Sequence, residues 1–419
     1  MRGKSFCRGC NSENLFRALD LGFSPLANRL VPHNKLESPE PWFPLVLRVC
    51  SDCLLGQLGE FSHDAEIFRD YPYLSSTSAT WLESNQIFTK SMVELLGLSA
   101  EDLVLELASN DGYLLQFFQT LNIRVLGIEP ALNVATLASI KGIPTSPEFF
   151  SRDLAQKLLQ RSISPRLIVA KNVVAHVPNL REFLEGIALL CAPSTLVVIE
   201  APSIVNIIAK LQFDTVYHEH FSYLSASFFK KVLSDFGLKL LGCERVETHG
   251  GSLRLFIGRI DSTVELPKSL LTSLRMILEE EEFAEIGNSA TWRNLSEQIA
   301  SHLNEFRNWI QSLDAKVVGY GAAAKAVTLL SSAQIPRGSI SFCIDNSEGK
   351  INHFLPGHQI QIVSEADFFV NYFEKDVIFI IFPWNLRNEI AARIRTMAPK
   401  SRIFVALPQI EEVLDGHVT

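Results

Sequence analysis

No stretch of the chain has the 18 or so uninterrupted apolar residues that a membrane-spanning helix requires. The opening residues, MRGKSFCRGC, lack the apolar core of a secretory leader. Positive charge is scarce. Lys and Arg number 38 against 46 Asp and Glu, a formal −8, which argues against a nucleic-acid or anionic-membrane partner. A locally positive pocket for a small anion remains compatible with that balance. Cysteine is sparse too, 7 in 419 residues, and does not make a disulfide scaffold at this length. Low-complexity tracts and short tandem repeats are missing. These absences describe a soluble, cytoplasmic chain whose thiols stay reduced or bind metal. The length calls for two or three domains, and 47% apolar with 20% charged residues supplies ordinary cores.

Four of the cysteines fall in two pairs, CRGC (Cys7, Cys10) and CSDC (Cys50, Cys53). Each pair makes a tight knuckle, and two knuckles place four thiolates tetrahedrally around one zinc. No open coordination position is implied. The metal, one per chain, is expected to be structural and to hold together a region too small to fold on its core alone.

From about residue 95 strands alternate with helices. LVLELAS (103–109), IRVLGIEP (123–130), RLIVAKN (166–172) and STLVVIEAP (194–202) read as buried strands, with amphipathic segments between them. That alternation gives a parallel sheet covered on both faces, with its ligand site at the carboxyl ends of the strands. Residues 267–313 read as a helical connector: Trp292, Leu295, Ile299, Leu303, Phe306, Ile310 and Leu313 recur on one face. A second α/β unit follows, with strands KVVGYG, ISFCID, DVIFIIFPW and RIFVAL.

Two loops compete as cofactor sites. ELASNDG (106–112) leaves a strand without the G-x-G-x-x-G turn of a dinucleotide fold, and an acid, Glu129, ends the next strand. Small residues with an acid for two ribose hydroxyls suit S-adenosylmethionine. GYGAAAKAVTLL (319–330) does fit G-x-G-x-x-A, with Asp345 ending the following strand. It is equally compatible with a dinucleotide, with a nucleotide diphosphate opposed by Lys325, and with close helix–strand packing alone.

DTVYHEHFSYLS (214–225) is the densest polar string. His218-x-His220 lacks a third metal ligand at a familiar spacing. General base chemistry needs only one imidazole, a carboxylate and a hydroxyl, which His220, Glu219 and Tyr217 supply. The following SASFFKKVLSDFG reads as a helix with a Ser N-cap candidate and Gly237 near its end. ETHGGSLRLF (247–256) reads as a hairpin turn between strands, with His249 and Arg254 as pocket candidates and Arg254 as an anion clamp. His176 follows a strand and either covers a cofactor or caps a helix.

Taken in order, CRGC…CSDC, LGFSPLANRL, YPYLSSTSATW, ELASNDGYLLQFF, GIEPALNVA, KNVVAHVPNL, FDTVYHEHFSYLS, HGGSLRLF, GYGAAAK and FLPGHQIQI resemble one family over nearly the whole chain. It is the three-domain, S-adenosylmethionine-dependent sugar C-methyltransferases that act on nucleotide-linked 4-keto deoxysugars. The resemblance implies an α/β chain of three parts: a zinc-binding domain (1–65), a Rossmann-like methyltransferase domain (66–265), and a helical connector with a Rossmann-like α/β domain for the nucleotide sugar (266–419). It makes His220 the base, with Glu219 and Tyr217 in the same pocket. It carries cofactor contacts to Glu106, Ser109, Asn110, Asp111, Glu129 and Asn172. Substrate contacts carry over to Tyr71, Tyr73, His176, Arg254, Gly321 and Lys325. Ala108 departs from the family's usual glycine, which crowds the cofactor loop. Two rivals stay open on the residues: an NAD-dependent oxidoreductase using GYGAAA and Asp345, and a non-catalytic zinc-containing binding module. Neither the sugar nor the oligomeric state is legible.

Overall fold

The computed structural model describes residues 6–59, 74–77, 79–247 and 250–414. They form two compact units, each assembled from three stretches of chain: 1–16, 49–205 and 220–288 in the first, and 17–48, 206–219 and 289–419 in the second.

The first unit is built on a seven-stranded sheet. Its parallel part is Leu196–Pro202, Leu167–Lys171, Leu103–Leu107, Arg124–Ile128 and Thr145–Ser146, in that spatial order. Leu103–Leu107 is buried throughout, as expected for a strand covered on both faces. A hairpin extends the other edge. Ser252–Arg259 runs antiparallel to Leu196–Pro202, and Leu238–Val246 pairs with it on the outside. The turn expected around Gly250 and Gly251 joins these two strands, and both glycines have positive φ. Helices cover both faces, giving one core around Leu105, Ile168, Phe183 and Ile199 and another around Phe88, Val104, Phe118 and Val198. Cys7, Cys50 and Cys53 belong to the first of these cores, together with Phe228 and Phe229.

The helix Ala226–Val232 has the serine cap expected of its sequence, and the structure gives that role to Ser225, whose Oγ accepts from Phe228 N at 2.9 Å. Its other free amides are met from a distance in sequence. Glu281 accepts from Ala226 N and Ser227 N, both at 2.7 Å. Gly237, at φ +69°, closes the segment.

The second unit carries an eight-stranded sheet. Phe342–Ile344, Val317–Tyr320, Ile378–Ile381 and Arg402–Val405 are mutually parallel neighbours in the order 342, 317, 378, 402, and Ile360–Val363 continues beyond Phe342–Ile344. Its far edge is antiparallel, with His353–Leu355 followed by the early strand Val31–Pro32. The segment expected to be a helical connector is formed by two helices, Lys268–Phe283 and Ser289–Ser312. Glu285, in left-handed backbone, lies in the break between them. The predicted apolar face of the second helix is buried at Trp292, Leu295, Ile299, Leu303, Phe306 and Ile310. Among the described residues, no helix is long and apolar enough to cross a membrane.

Candidate active site

The four cysteines of the two knuckles converge. Their Sγ atoms all lie within 4.8 Å of one another, with Cys7 to Cys53 at 3.4 Å and Cys10 to Cys50 at 3.6 Å. Sulfurs bound to zinc at about 2.3 Å sit near those separations in a tetrahedron. Gly9 N and Cys53 N point at Cys7 Sγ and Cys50 Sγ, at 3.4 and 3.5 Å. The Cys7–Cys53 contact holds the Cys7 thiol down at about 5 and pushes Cys53 up. Four sulfurs this close cannot all ionise without a cation among them. This is a zinc site, closed by four protein ligands and therefore structural.

At the carboxyl ends of the parallel strands the backbone leaves ordinary conformation. Ala108 (φ +56°), Asn110 (φ +49°) and Asn172 (φ +53°) are left-handed although none is glycine. Such residues persist where surrounding structure holds them, and they cluster at binding sites. Gly112, at φ +77°, packs so tightly on Ile143 that a Cβ would come within 2.8 Å of its Cγ1. The loop is closed against the next strand by Glu129. Its Oε2 accepts from Asn110 N and its Oε1 from Ala131 N, both at 2.9 Å. Each carboxylate oxygen keeps a second lone pair for a hydroxyl. Burial raises the Glu129 carboxyl above its ordinary range, against these two amides.

The other expected cofactor residues differ in what they face. Asn110 Oδ1 accepts from Ser75 N at 2.9 Å. Asp111 pairs with Lys141 Nζ at 2.7 Å and with the Ser76 hydroxyl. Ser109 is turned onto the adjacent strand, where a Cβ at Gly127 would stand 2.3 Å from its Oγ. Asn172 Oδ1 is buried with no hydrogen-bond partner among the described residues. A buried orphan amide oxygen beside a left-handed loop suits a cofactor that brings its own donor. Glu106 is completely buried, and burial drives its carboxyl well above the ordinary range. Tyr113 offers it partial relief.

His220 belongs to the first unit, and the bond between Glu219 and His220 is where the chain passes from the second unit to the first. The His220 ring meets His176 edge to face, with centroids 4.6 Å apart, and Tyr223 at 6.1 Å. Two strand ends position it. His176 lies in the turn after Leu167–Lys171. Leu224 bridges Ser203, just past Leu196–Pro202, and accepts from Ile204 N at 2.9 Å. The base candidate thus stands at the carboxyl edge of the sheet whose strand-end loops carry Asn110, after Leu103–Leu107, and Asn172, after Leu167–Lys171.

The remaining residues of the string lie in the second unit. Glu219 is buried and accepts from Asn28 N at 2.9 Å, while burial raises its carboxyl. His218 Nε2 lies 3.2 Å from Pro44 O, and burial lowers it to about 4. Tyr217 is half-buried. Asp214 accepts from Trp384 Nε1 at 2.8 Å, and burial brings it up to about 6 against the pull of Lys325 and Trp384.

In the GYGAAAK loop, Gly321 is left-handed (φ +89°) and abuts Pro383, so a side chain there would strike the proline ring. Lys325 Nζ donates to Asn385 Oδ1 at 2.8 Å and lies 4.0 Å over the Trp384 ring. Asp345 accepts from Ala322 N, Ser347 N and Lys350 Nζ at 2.9, 2.9 and 3.1 Å. An acid neutralised in this way is poorly set to hold a ribose diol, which weighs against the dinucleotide reading.

Arg254 does not present an open clamp. Its Nε and Nη1 lie 2.7 Å from Glu200 and Glu244. Glu200 also pairs with Lys171, a buried network that the sequence reading missed. Its signal was a lysine and a glutamate inside two otherwise apolar strands, which pair in register. Tyr71, Tyr73 and His249 lie outside the described residues.

Comparisons with known proteins match three successive stretches of the chain. Family models match residues 7–68 (a "zinc binding domain"), 86–242 ("Methyltransferase domain") and 247–408 ("C-methyltransferase C-terminal domain"). The chain is 29% identical over 390 residues to the C-methyltransferase NovU of Streptomyces niveus, covering 92% of this chain and 90% of that protein. Among solved structures, a SAM-dependent methyltransferase from Archaeoglobus fulgidus aligns with 49% of this chain and 88% of its own at 16% identity, TM-score 0.34. An S-adenosylmethionine-dependent methyltransferase from Clostridium acetobutylicum aligns with 42% and 92% at 11% identity, also with a TM-score of 0.34. With a four-thiolate zinc site, a methyltransferase sheet and a second α/β region in the matching order, the chain belongs to the zinc-binding, three-domain S-adenosylmethionine-dependent C-methyltransferases related to NovU.

Proposed function

We propose that the substrate is a nucleotide-linked 4-keto-deoxysugar, of the TDP type, and that methylation falls on a carbon beside its ketone. The observation that carries this reading is the placement of His220, against His176, at the carboxyl edge of the methyltransferase sheet. A carbon next to a ketone loses a proton to an imidazole because the resulting enolate spreads its charge onto oxygen. His220 takes that proton, and the edge-on His176 ring limits how His220 can turn. A donor such as the Tyr217 hydroxyl steadies the enolate oxygen. Glu129, Asn172 and the amides of the 108–112 loop hold the methyl donor. That donor supplies an electrophilic methyl group on a sulfonium.

The GYGAAAK loop, with Gly321 and Lys325, takes the diphosphate. Its support is the helix start at Ala324 and the neutralised Asp345. Glu219 braces the string through Asn28, a positioning role. On this reading residues 1–65 bind zinc, 66–265 carry donor and chemistry, and 266–419 hold the nucleotide sugar. A cytoplasmic location agrees with a chain whose cysteines bind zinc or stay as thiols.

The test is His220→Asn, assayed by calorimetry with S-adenosylmethionine and by mass spectrometry of products from a panel of keto-deoxysugar nucleotides. Donor binding should persist and product should vanish. Turnover near the wild-type rate would remove His220 from the reaction.

A further inference from the structure

The zinc knuckle holds a group aimed at the segment that carries His220. Arg8, between the ligands Cys7 and Cys10, is 5% exposed. Its Nη1 donates to Phe221 O at 2.7 Å and to Leu58 O at 2.8 Å, and its guanidinium lies 5.2 Å from the centroid of the Phe221 ring. Phe221 is the residue after His220. The same carbonyl also accepts from Leu58 N at 3.1 Å.

The backbone of Arg8 is tied to the same strip. Arg8 N donates to Gln57 Oε1 at 2.8 Å, Gln57 Nε2 donates to Phe6 O at 3.1 Å, and Gln57 is the strand partner of Ser222. On the next residue, a Cβ at Gly9 would come within 2.5 Å of the Phe228 ring, so the knuckle seats directly on the helix that follows the string.

We propose that Arg8 is a positioning residue for His220, through which the zinc site sets the aim of the base; this rests on the reading of His220 as the base. Burying a guanidinium is costly without acceptors for it, and an Nη1 that donates to two carbonyls at once fixes them relative to each other. The metal fixes the ends of the Cys7–Cys10 turn, the turn fixes Arg8, and Arg8 fixes the peptide joining Phe221 to Ser222. A base that must meet one carbon–hydrogen bond loses rate steeply when its backbone shifts by a fraction of a bond length.

The experiment compares Arg8→Met, Arg8→Lys and His220→Asn in the full-length, zinc-loaded chain. Deuterium wash-in beside the ketone of a TDP-4-keto-6-deoxyhexose, with S-adenosylhomocysteine in place of the donor, reads the proton step alone. Arg8→Met should slow wash-in and kcat together by about tenfold to a hundredfold, with KM and donor affinity within about twofold. Zinc should remain near one per chain, and Arg8→Lys should recover part of the rate. The His220 ring signals in NMR of the substrate-free protein should move in Arg8→Met, a readout that needs no sugar.

Wild-type wash-in and unmoved His220 signals in zinc-bound Arg8→Met would overturn the proposal. Continued wash-in by His220→Asn would instead overturn the base assignment. Should Arg8→Met lose its zinc, Gln57→Ala and Arg8→Lys are read by the same assays, and wild-type behaviour of both with zinc bound overturns the proposal equally.

Discussion

Lys171 Nζ stands 2.9 Å from Glu200 Oε1, and neither side chain has any exposed surface. Lys171 ends its strand, and Glu200 sits opposite it in register on the adjacent parallel strand. Lys171 also donates to Asn85 Oδ1 at 2.9 Å and lies 3.9 Å over the Phe88 ring, so the pair fastens the helix Ala79–Leu96 to the sheet. Burial pushes the Glu200 carboxyl up, but the Lys171 and Arg254 charges outweigh it and hold it below the ordinary range. Lys171→Met should therefore leave Glu200 with one cation where it had two. A loss of about 3–5 kcal/mol is expected, at the lower end because Arg254 remains, read from the midpoint of urea unfolding.

Ala108 adopts a left-handed backbone that glycine enters without strain. Ala108→Gly relieves about 1–2 kcal/mol of native strain, partly offset by the freer unfolded chain, for a net gain of about 0.5–1 kcal/mol. The donor loop should also close more readily, so calorimetry should find S-adenosylmethionine bound as tightly as before or more so. A drop in stability would mean the Ala108 methyl makes contacts worth more than its strain.

Metal analysis should return about one zinc per chain, and Cys50→Ser should bring that value down severalfold. Because Cys50 and Cys53 lie in the same core as Phe228 and Phe229, the variant should also unfold at lower denaturant. Zinc-free protein with an unchanged midpoint would show the core to be independent of the metal.

The pH dependence of stability should carry the mark of His358, which burial lowers to about 4 from 6.5. Between those values the unfolded chain takes up a proton that the folded chain refuses. Its contribution is thus complete above pH 6.5 and is lost as the pH falls towards 4. Ser331 Oγ lies 3.1 Å from its Nε2, a contact that an amide can replace. His358→Gln should flatten the acid limb of the stability curve by about 2–3 kcal/mol at pH 4.5 relative to pH 7. Parallel acid limbs for variant and wild type would exclude His358 as the cause.

Local signals in the chain were read correctly where one element suffices to state them. The two cysteine pairs needed only their spacing, the strand at 103–107 only its apolar run, and the helix after Ser225 only its cap. What required the order of strands in space was not legible. The contact of His176 with His220 depends on a turn after one strand meeting a bridge at the end of the next. Arg254 looked like an open cation because its partners, Glu200 and Glu244, come from two neighbouring strands. Nothing near Lys325 in sequence shows that it meets Asn385 and Trp384. The string YHEH reads as one site, yet its members divide between two compact units at a single peptide bond.

The early strand Val31–Pro32 closes the edge of a sheet whose other strands all come after residue 316. Nearby, Glu40 accepts from Gly357 N, 317 positions further on. During synthesis this early segment leaves the ribosome long before anything exists for it to pair with, and it must wait, unfolded or sheltered, until most of the polypeptide has been made. A gene fragment that begins after the zinc knuckles would therefore express the later sheet with an unprotected rim, and should aggregate where the whole chain does not.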